Sequence, residues 1–87
     1  MHYGFGGRDY EILLGGDVAK EGFFAELWDI TDGALQILLL AFHSDADGKK
    51  TISAYREDLP LELVEQFLEV AKRRLPPSLS PEHSTQP

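Results

Sequence analysis

The residues best suited to chemistry lie at positions 43–50, which have the sequence HSDADGKK. Closely spaced carboxylates before a glycine are typical of the first half of a calcium-binding loop. Such a loop needs oxygen ligands at positions 1, 3 and 5, glycine at 6 and a bidentate glutamate at 12. With Gly48 at position 6, His43 takes position 1 and Ala54 takes position 12, so both ends of the ligand set are missing. We therefore predict a hairpin turn at Asp47-Gly48, with Asp45 favouring the bend; a weak adventitious cation is the alternative.

The other polar residues do not form a catalytic set. His2 and His83 lie in terminal segments, and a surface position at a strand end is the favoured interpretation of His43. Asp45 could orient the His43 imidazole, but nothing in the sequence fixes a serine as the nucleophile of such a pair. The glycine-rich residues 4–7 precede a strand, whereas a phosphate-binding loop follows a strand and opens a helix. We predict a non-enzymatic protein without catalytic residues, metal ligands or cofactors.

The composition indicates one small acidic domain. A chain of 87 residues buries only about 60% of the surface that its unfolded form exposes. Its formal charge of -7 argues against nucleic acid as a partner. The absence of cysteine fits a reducing compartment. Because the sequence shows neither a signal-peptide pattern nor an apolar run of roughly 20 residues, we expect a bacterial-style cytoplasmic protein that does not contact a membrane.

Apolar patterns predict four strands, at residues 9–15, 23–31, 34–43 and 49–56. The Asp32-Gly33 dipeptide between two apolar runs is a strong hairpin signal, because both central residues of a type I′ turn have positive φ. Residues 1–8 show no periodicity and are predicted to be a flexible lead-in. Residues 15–22 are predicted to form a loop.

One amphipathic helix is predicted from about Pro60 to Leu75. Proline suits the first helical turn, and Pro76-Pro77 prevents continuation. The predicted apolar stripe consists of Leu61, Val64, Phe67, Leu68, Ala71 and Leu75. Residues 78–87 are predicted to be a disordered tail. The predicted fold class is α+β, a single domain at residues 9–77: a four-stranded antiparallel β-meander with one C-terminal helix packed on one face.

Both faces of the two central strands are apolar. A two-residue turn at Asp32-Gly33 would pair Trp28 with Ile37 and Leu27 with Leu38. One face would then hold Phe24, Trp28, Ile30, Leu35, Ile37 and Leu39.

A helix of about 16 residues, roughly 24 Å long, covers only one face of such a sheet. The uncovered face would exceed the apolar patch that a soluble monomer usually tolerates. We therefore predict a homodimer with those six residues at its interface. The alternative is that the lead-in, with Tyr3 and Phe5, or the loop at residues 15–22 folds over this face.

Residues 52–77, ISAYREDLPLELVEQFLEVAKRRLPP, resemble the end of small uncharacterised bacterial proteins with a β-meander followed by one helix. A looser similarity covers residues 15–29, GGDVAKEGFFAELWD. The shared motifs, an LPLE helix start and an RLPP helix end, are structural rather than chemical. The resemblance implies this fold and, because no activity is assigned to such proteins, it transfers no catalytic residue.

Two functional hypotheses follow. The leading one is a protein of unknown biological role that acts as a non-enzymatic homodimeric interaction module. The alternative, based on size and charge, is a small acidic inhibitor or immunity-type protein that binds a basic protein.

Overall fold

The computed structural model describes residues 1–77 and shows a five-stranded antiparallel sheet and one α-helix. The elements are β1 His2–Phe5, β2 Arg8–Asp17, β3 Gly22–Asp29, β4 Gln36–Ser44, β5 Lys50–Ala54 and α1 Leu61–Arg74. The strands lie side by side in chain order, so the predicted α+β class and meander topology are confirmed. The prediction of four strands is wrong by one. The predicted tail, residues 78–87, lies outside the described residues. No helix within residues 1–77 is both long and apolar enough to span a membrane.

The additional strand is β1, in the segment predicted to be a flexible lead-in. Phe5 pairs with Arg8 across Gly6 and Gly7, whose φ angles are 58° and 77°. A two-residue turn with both φ angles positive has the type I′ hairpin geometry, which glycine adopts without steric cost. The rings of Tyr3 and Phe5 stack with centroids 6.4 Å apart, and both pack against the core.

The β3–β4 hairpin differs from its predicted register. Asp32 and Gly33 have positive φ, as predicted, and Trp28 pairs with Ile37, also as predicted. A bulge follows, so that Leu27 pairs with Leu39 instead of Leu38. Because one inserted residue reverses the alternation of side chains, all residues of β4 beyond the bulge lie on the opposite face from the predicted one.

Helix α1 begins at Leu61, with Pro60 in the N-cap position, and the chain is extended at Leu75 before the two prolines. The buried residues of the helix and of its C-terminal end are Leu63, Phe67, Val70, Ala71 and Leu75. Leu61 is 68% exposed and Leu68 is 38% exposed, so the predicted apolar stripe is correct only in part. These helix residues form one core cluster with a single face of the sheet, which contributes Tyr10, Ile12, Ala25, Leu27, Leu38, Leu39 and Ala41.

His43 lies in this helix-covered layer and is only 5% exposed, so its predicted surface position is wrong. Neither ring nitrogen has a hydrogen-bond partner among the described residues. The nearest carboxylate oxygen, Asp45 Oδ1, is 3.7 Å from Nδ1, too far for a good hydrogen bond. An imidazole buried in this way destabilises the folded state because it loses hydration without gaining a partner.

Replacing the buried imidazole with an apolar side chain of similar size should therefore stabilise the protein. We expect His43→Leu to raise the free energy of unfolding by about 1 kcal/mol. Urea denaturation at pH 7 measures this change, with the exposed His2→Leu as the matched control, expected within about 0.5 kcal/mol of the parent chain. A less stable His43→Leu variant would contradict this interpretation of His43.

Candidate interaction surface

The sheet face turned away from α1 carries large side chains, and the described residues form no second layer over it. Side chains alternate between faces along a strand, and paired residues of antiparallel strands share a face. The strand pairing therefore assigns to this side a set of residues that we call the open face. Its members on β2, β3 and β4 include Leu13, Phe24, Glu26, Trp28, Ile37, Leu40 and Phe42, together with Glu11, which pairs with Trp28.

The aromatic rings of the open face lie over glycines. A Cβ atom built on Gly15 would lie 2.9 Å from Cζ of Phe24, so the Phe24 ring occupies the space above Gly15. The Phe42 ring occupies the corresponding space above Gly22. Rings that cover glycines shield the backbone of the strands. Phe24 and Phe42 are themselves only partly exposed, although no other layer within residues 1–77 covers them.

Glu26 lies in the central row of the open face, between Leu13 on β2 and Leu40 on β4, and a second carboxylate of this face, that of Glu11, belongs to the residue paired with Trp28. Its Oε1 accepts a hydrogen bond of 3.1 Å from Nε1 of Trp28. This bond satisfies the indole donor and orients the ring. It also places one carboxylate between Leu13 and Leu40, in the middle of the open face.

The structure brings only part of the predicted interface together. Phe24, Trp28 and Ile37 share the open face, as predicted. The partly exposed Ile30 directly follows β3, and Leu35, 74% exposed, lies in the loop before β4.

Leu39 is 4% exposed and belongs to the helix-covered core, so its predicted position beside Trp28 is wrong because of the bulge. Leu13, Leu40 and Phe42 are members that the sequence interpretation missed. The alternation of β2 could have indicated Leu13, whereas the bulge concealed the other two.

The alternative cover predicted for this face is not present. Tyr3 and Phe5 pack against the helix-side core. Residues 15–22 complete β2, form a tight turn and begin β3, so they extend the sheet and do not fold across it.

A second polar cluster lies at the end of β3, around the fully buried Asp29. Arg8 donates to Oδ2 from Nε at 3.0 Å and from Nη2 at 2.9 Å, and Nη1 of Arg56 lies 3.8 Å from the same oxygen. The backbone N–H of Thr31 donates to Oδ1 at 3.0 Å. Burial raises the pKa of Asp29, but the hydrogen bonds from Thr31 and Arg8 outweigh burial and hold this pKa below its usual value. Asp29 thus links the end of β3 to Arg8 at the start of β2 and to Thr31 in the loop that follows β3.

Residues 45–49 connect β4 to the antiparallel β5, which confirms the predicted hairpin turn. Gly48 has a φ of 71° and donates its N–H to the Ser44 carbonyl at 2.8 Å. The carboxylate that supports the turn belongs to Asp47, whose Oδ1 accepts from the Lys49 N–H at 3.0 Å. This hydrogen bond lowers the pKa of Asp47. The role predicted for Asp45 is thus taken by Asp47.

Comparison with protein-family models, curated proteins and solved structures found no significant match to this chain. The resemblance to bacterial meander-plus-helix proteins stays a prediction, and the geometry of the open face is the basis for inferring function.

Proposed function

We propose that the protein is a non-enzymatic homodimeric interaction module whose two copies pack through the open face. The supporting observation is the aromatic and aliphatic surface around Trp28, which has no second layer among the described residues. A sheet needs a packed layer on each strongly apolar face, and the only helix within residues 1–77 packs on the other side.

The size of the open face can be compared with that of a stable interface. The strands that carry it, β2 to β4, have eight to ten residues and are about 30 Å long, and three strands spaced about 4.8 Å apart span about 14 Å. The resulting area of roughly 400 Å² is about half of the ~800 Å² that each partner contributes to a standard interface, so the homodimer also uses the flanking strands β1 and β5. Two such sheets pack about 10 Å apart with strands inclined by about 30°. A two-fold axis would use the same patch on both copies.

A matched pair of leucine-to-lysine substitutions tests the homodimer. Leu40→Lys places an ammonium group on the open face, and Leu61→Lys makes the same change on an exposed helix residue. We expect Leu40→Lys to weaken self-association by at least about 100-fold, because desolvating the new charge costs several kcal/mol even beside Glu26. Leu61→Lys should have no effect. Sedimentation velocity across a micromolar concentration series gives the dissociation constants, and circular dichroism confirms folding of both variants. A strictly monomeric parent chain, or equal self-association of both variants, would overturn the proposal.

Glu26 is the specific observation that favours the alternative function, an acidic inhibitor or immunity-type protein. A two-fold axis near the centre of the open face brings two copies of this carboxylate together. At about 8 Å and an effective dielectric constant of 20, their repulsion is about 2 kcal/mol. An arginine of a basic partner would instead pair with Glu26 and stack on Trp28.

The substitution Glu26→Gln separates the two functions because it keeps the side-chain shape and the acceptor for Trp28 but removes the charge. The dissociation constant of the homodimer should fall by about 30-fold, the equivalent of about 2 kcal/mol. Binding to a basic partner should weaken and lose its dependence on salt. If Glu26→Gln leaves the dissociation constant of the homodimer unchanged, the two Glu26 carboxylates lie far apart in the dimer.

A further inference from the structure

Strand β5 is the outer strand of the sheet beyond β4, and none of residues 1–77 pairs with its other edge. At the two ends of this pair, the Ser44 N–H donates to the Lys49 carbonyl and the Tyr55 N–H donates to the Leu38 carbonyl, each at 2.9 Å. Backbone groups alternate in direction along an antiparallel pair. The N–H and C=O groups of Lys50, Ile52 and Ala54 therefore point away from β4, where a further strand would lie.

The side chains of these three residues lie on the helix side of the sheet, because Ile52 pairs with Ala41 and Ala54 pairs with Leu39 of the core. Between β5 and α1 runs an apolar groove with a volume of about 180 Å³. Its lining includes Ala41, Ala71 and Leu75, together with the two exposed side chains Ile52, at 52%, and Leu68, at 38%. The groove thus lies directly beside the free strand edge.

Positive charge surrounds this groove although the chain as a whole is acidic. Lys50 and Lys72 are part of the lining, one from β5 and one from α1, and no carboxylate lines it. The two lysines are therefore the charged side chains of the lining, whereas Arg74 lines a different pocket, beside Gly15 and Gly16. A local excess of positive charge on a protein of charge -7 selects for an acidic binding partner.

We propose that β5 and the adjoining groove bind an extended acidic segment of another protein as a sixth strand. Main-chain hydrogen bonds to Lys50, Ile52 and Ala54 supply affinity, and alternate side chains supply specificity, as in other β-strand additions. In an antiparallel arrangement, an apolar side chain opposite Ile52 enters the groove. Two residues later, a carboxylate opposite Lys50 lies within reach of the lysines. The recognised pattern is apolar-x-apolar-x-acidic.

A second copy of this strand fits the same edge poorly. Antiparallel self-pairing centred on Ile52 would place Lys50 of one copy opposite Ala54 and diagonally beside Arg56 of the other, and like charges on neighbouring strands are unfavourable. Charged edge residues of this kind prevent edge-to-edge association of identical chains. The proposed site is separate from the open face, so neither proposal depends on the other.

A synthetic peptide with the sequence Thr-Val-Thr-Val-Thr-Glu-Thr-Glu, labelled with fluorescein and capped at its termini, tests the site. The peptide is titrated with the full chain at low salt, and fluorescence anisotropy measures binding. We expect saturable binding that weakens with salt. Lys50→Glu should weaken binding by about tenfold, whereas the matched Lys20→Glu, in the β2–β3 turn and outside the lining of the groove, should leave binding unchanged. A peptide with lysine in place of both glutamates should not bind.

Two further measurements distinguish strand addition from attraction of charges alone. Methylating the peptide's backbone nitrogens in alternate positions, on the edge facing β5, should abolish binding, because the main-chain bonds would be lost. In the complex, the amide hydrogens of Ile52 and Ala54 should exchange more slowly than in the free protein. Absence of saturable binding up to about 1 mM peptide, equal binding of the methylated peptide, or equal binding by Lys50→Glu would each overturn the proposal.

Discussion

Asp29→Ala is expected to lower the free energy of unfolding by about 3 kcal/mol. The carboxylate is fully buried and accepts hydrogen bonds from Arg8 and from the Thr31 N–H. Its removal leaves the Thr31 donor unpaired and leaves Arg8 and Arg56 close together without their counter-charge. Urea denaturation at pH 7 measures the loss. The exposed Asp45→Ala is the control and should change stability by less than about 0.5 kcal/mol.

The pH dependence of stability provides a second check on Asp29. Its pKa in the folded protein is below the usual value of about 4. The unfolded chain therefore binds a proton before the folded chain does, and the stability that Asp29 contributes is fully present above about pH 4. That contribution is lost as the pH falls through the lowered pKa. We expect the stabilities of the parent chain and Asp29→Ala to converge in acid. A constant difference down to pH 2 would contradict this assignment.

Gly22→Ala is also expected to lower the free energy of unfolding by about 3 kcal/mol, near the upper end of the range for overpacking. A methyl group at this position would collide with the backbone carbonyl oxygen of His43 and with the ring of Phe42. A side chain can rotate away, but the carbonyl is held in the β3–β4 ladder, so the two strands would have to separate locally. Thermal and urea unfolding measure the loss.

Two neighbouring glycines provide graded controls for Gly22. At Gly16, the nearest atom to an added methyl group is a carbonyl oxygen at 3.8 Å, an ordinary contact, so Gly16→Ala should be nearly neutral. At Gly15, the only close contact is the Phe24 ring at 2.9 Å, which can turn, so Gly15→Ala should have an intermediate effect. Equal effects at Gly16 and Gly22 would show that loss of glycine flexibility, rather than collision, controls stability.

Local sequence signals were sufficient for most of the architecture. Alternation located β2 and β5, and apolar runs bounded by turn residues located β3 and β4, each to within a few residues; Pro60 and the Pro76-Pro77 pair marked the ends of α1. The strand at the N-terminal end was missed although it carries the same kind of signal as Asp32-Gly33. Gly6-Gly7 between Phe5 and Arg8 is a two-residue hairpin turn, with Tyr3 and Phe5 two residues apart before it. The glycines were interpreted as a sign of flexibility, whereas Gly6 and Gly7 supply the positive φ angles that the hairpin turn requires.

The features that could not be predicted depend on long-range packing. The bulge near Leu38 has no local marker, and it moved Leu39 into the core and brought Leu40 and Phe42 onto the open face. The sequence indicates only one part of the Asp29 cluster, the hydrogen bond to Thr31, because an aspartate two residues before the donor is typical of a turn capped by its side chain. Its arginine partner is 21 positions away and is determined only by the assembled sheet.

The meander order of the strands has a consequence for how the chain folds. Every β-ladder joins sequence neighbours, so each hairpin closes a short loop, and the entropy lost at each step is small. Such a low contact order favours rapid assembly for a sheet protein. The sheet can therefore form before α1 docks, and until then both of its apolar faces are exposed to water. A sheet that formed without its helix would be prone to aggregation through these exposed faces.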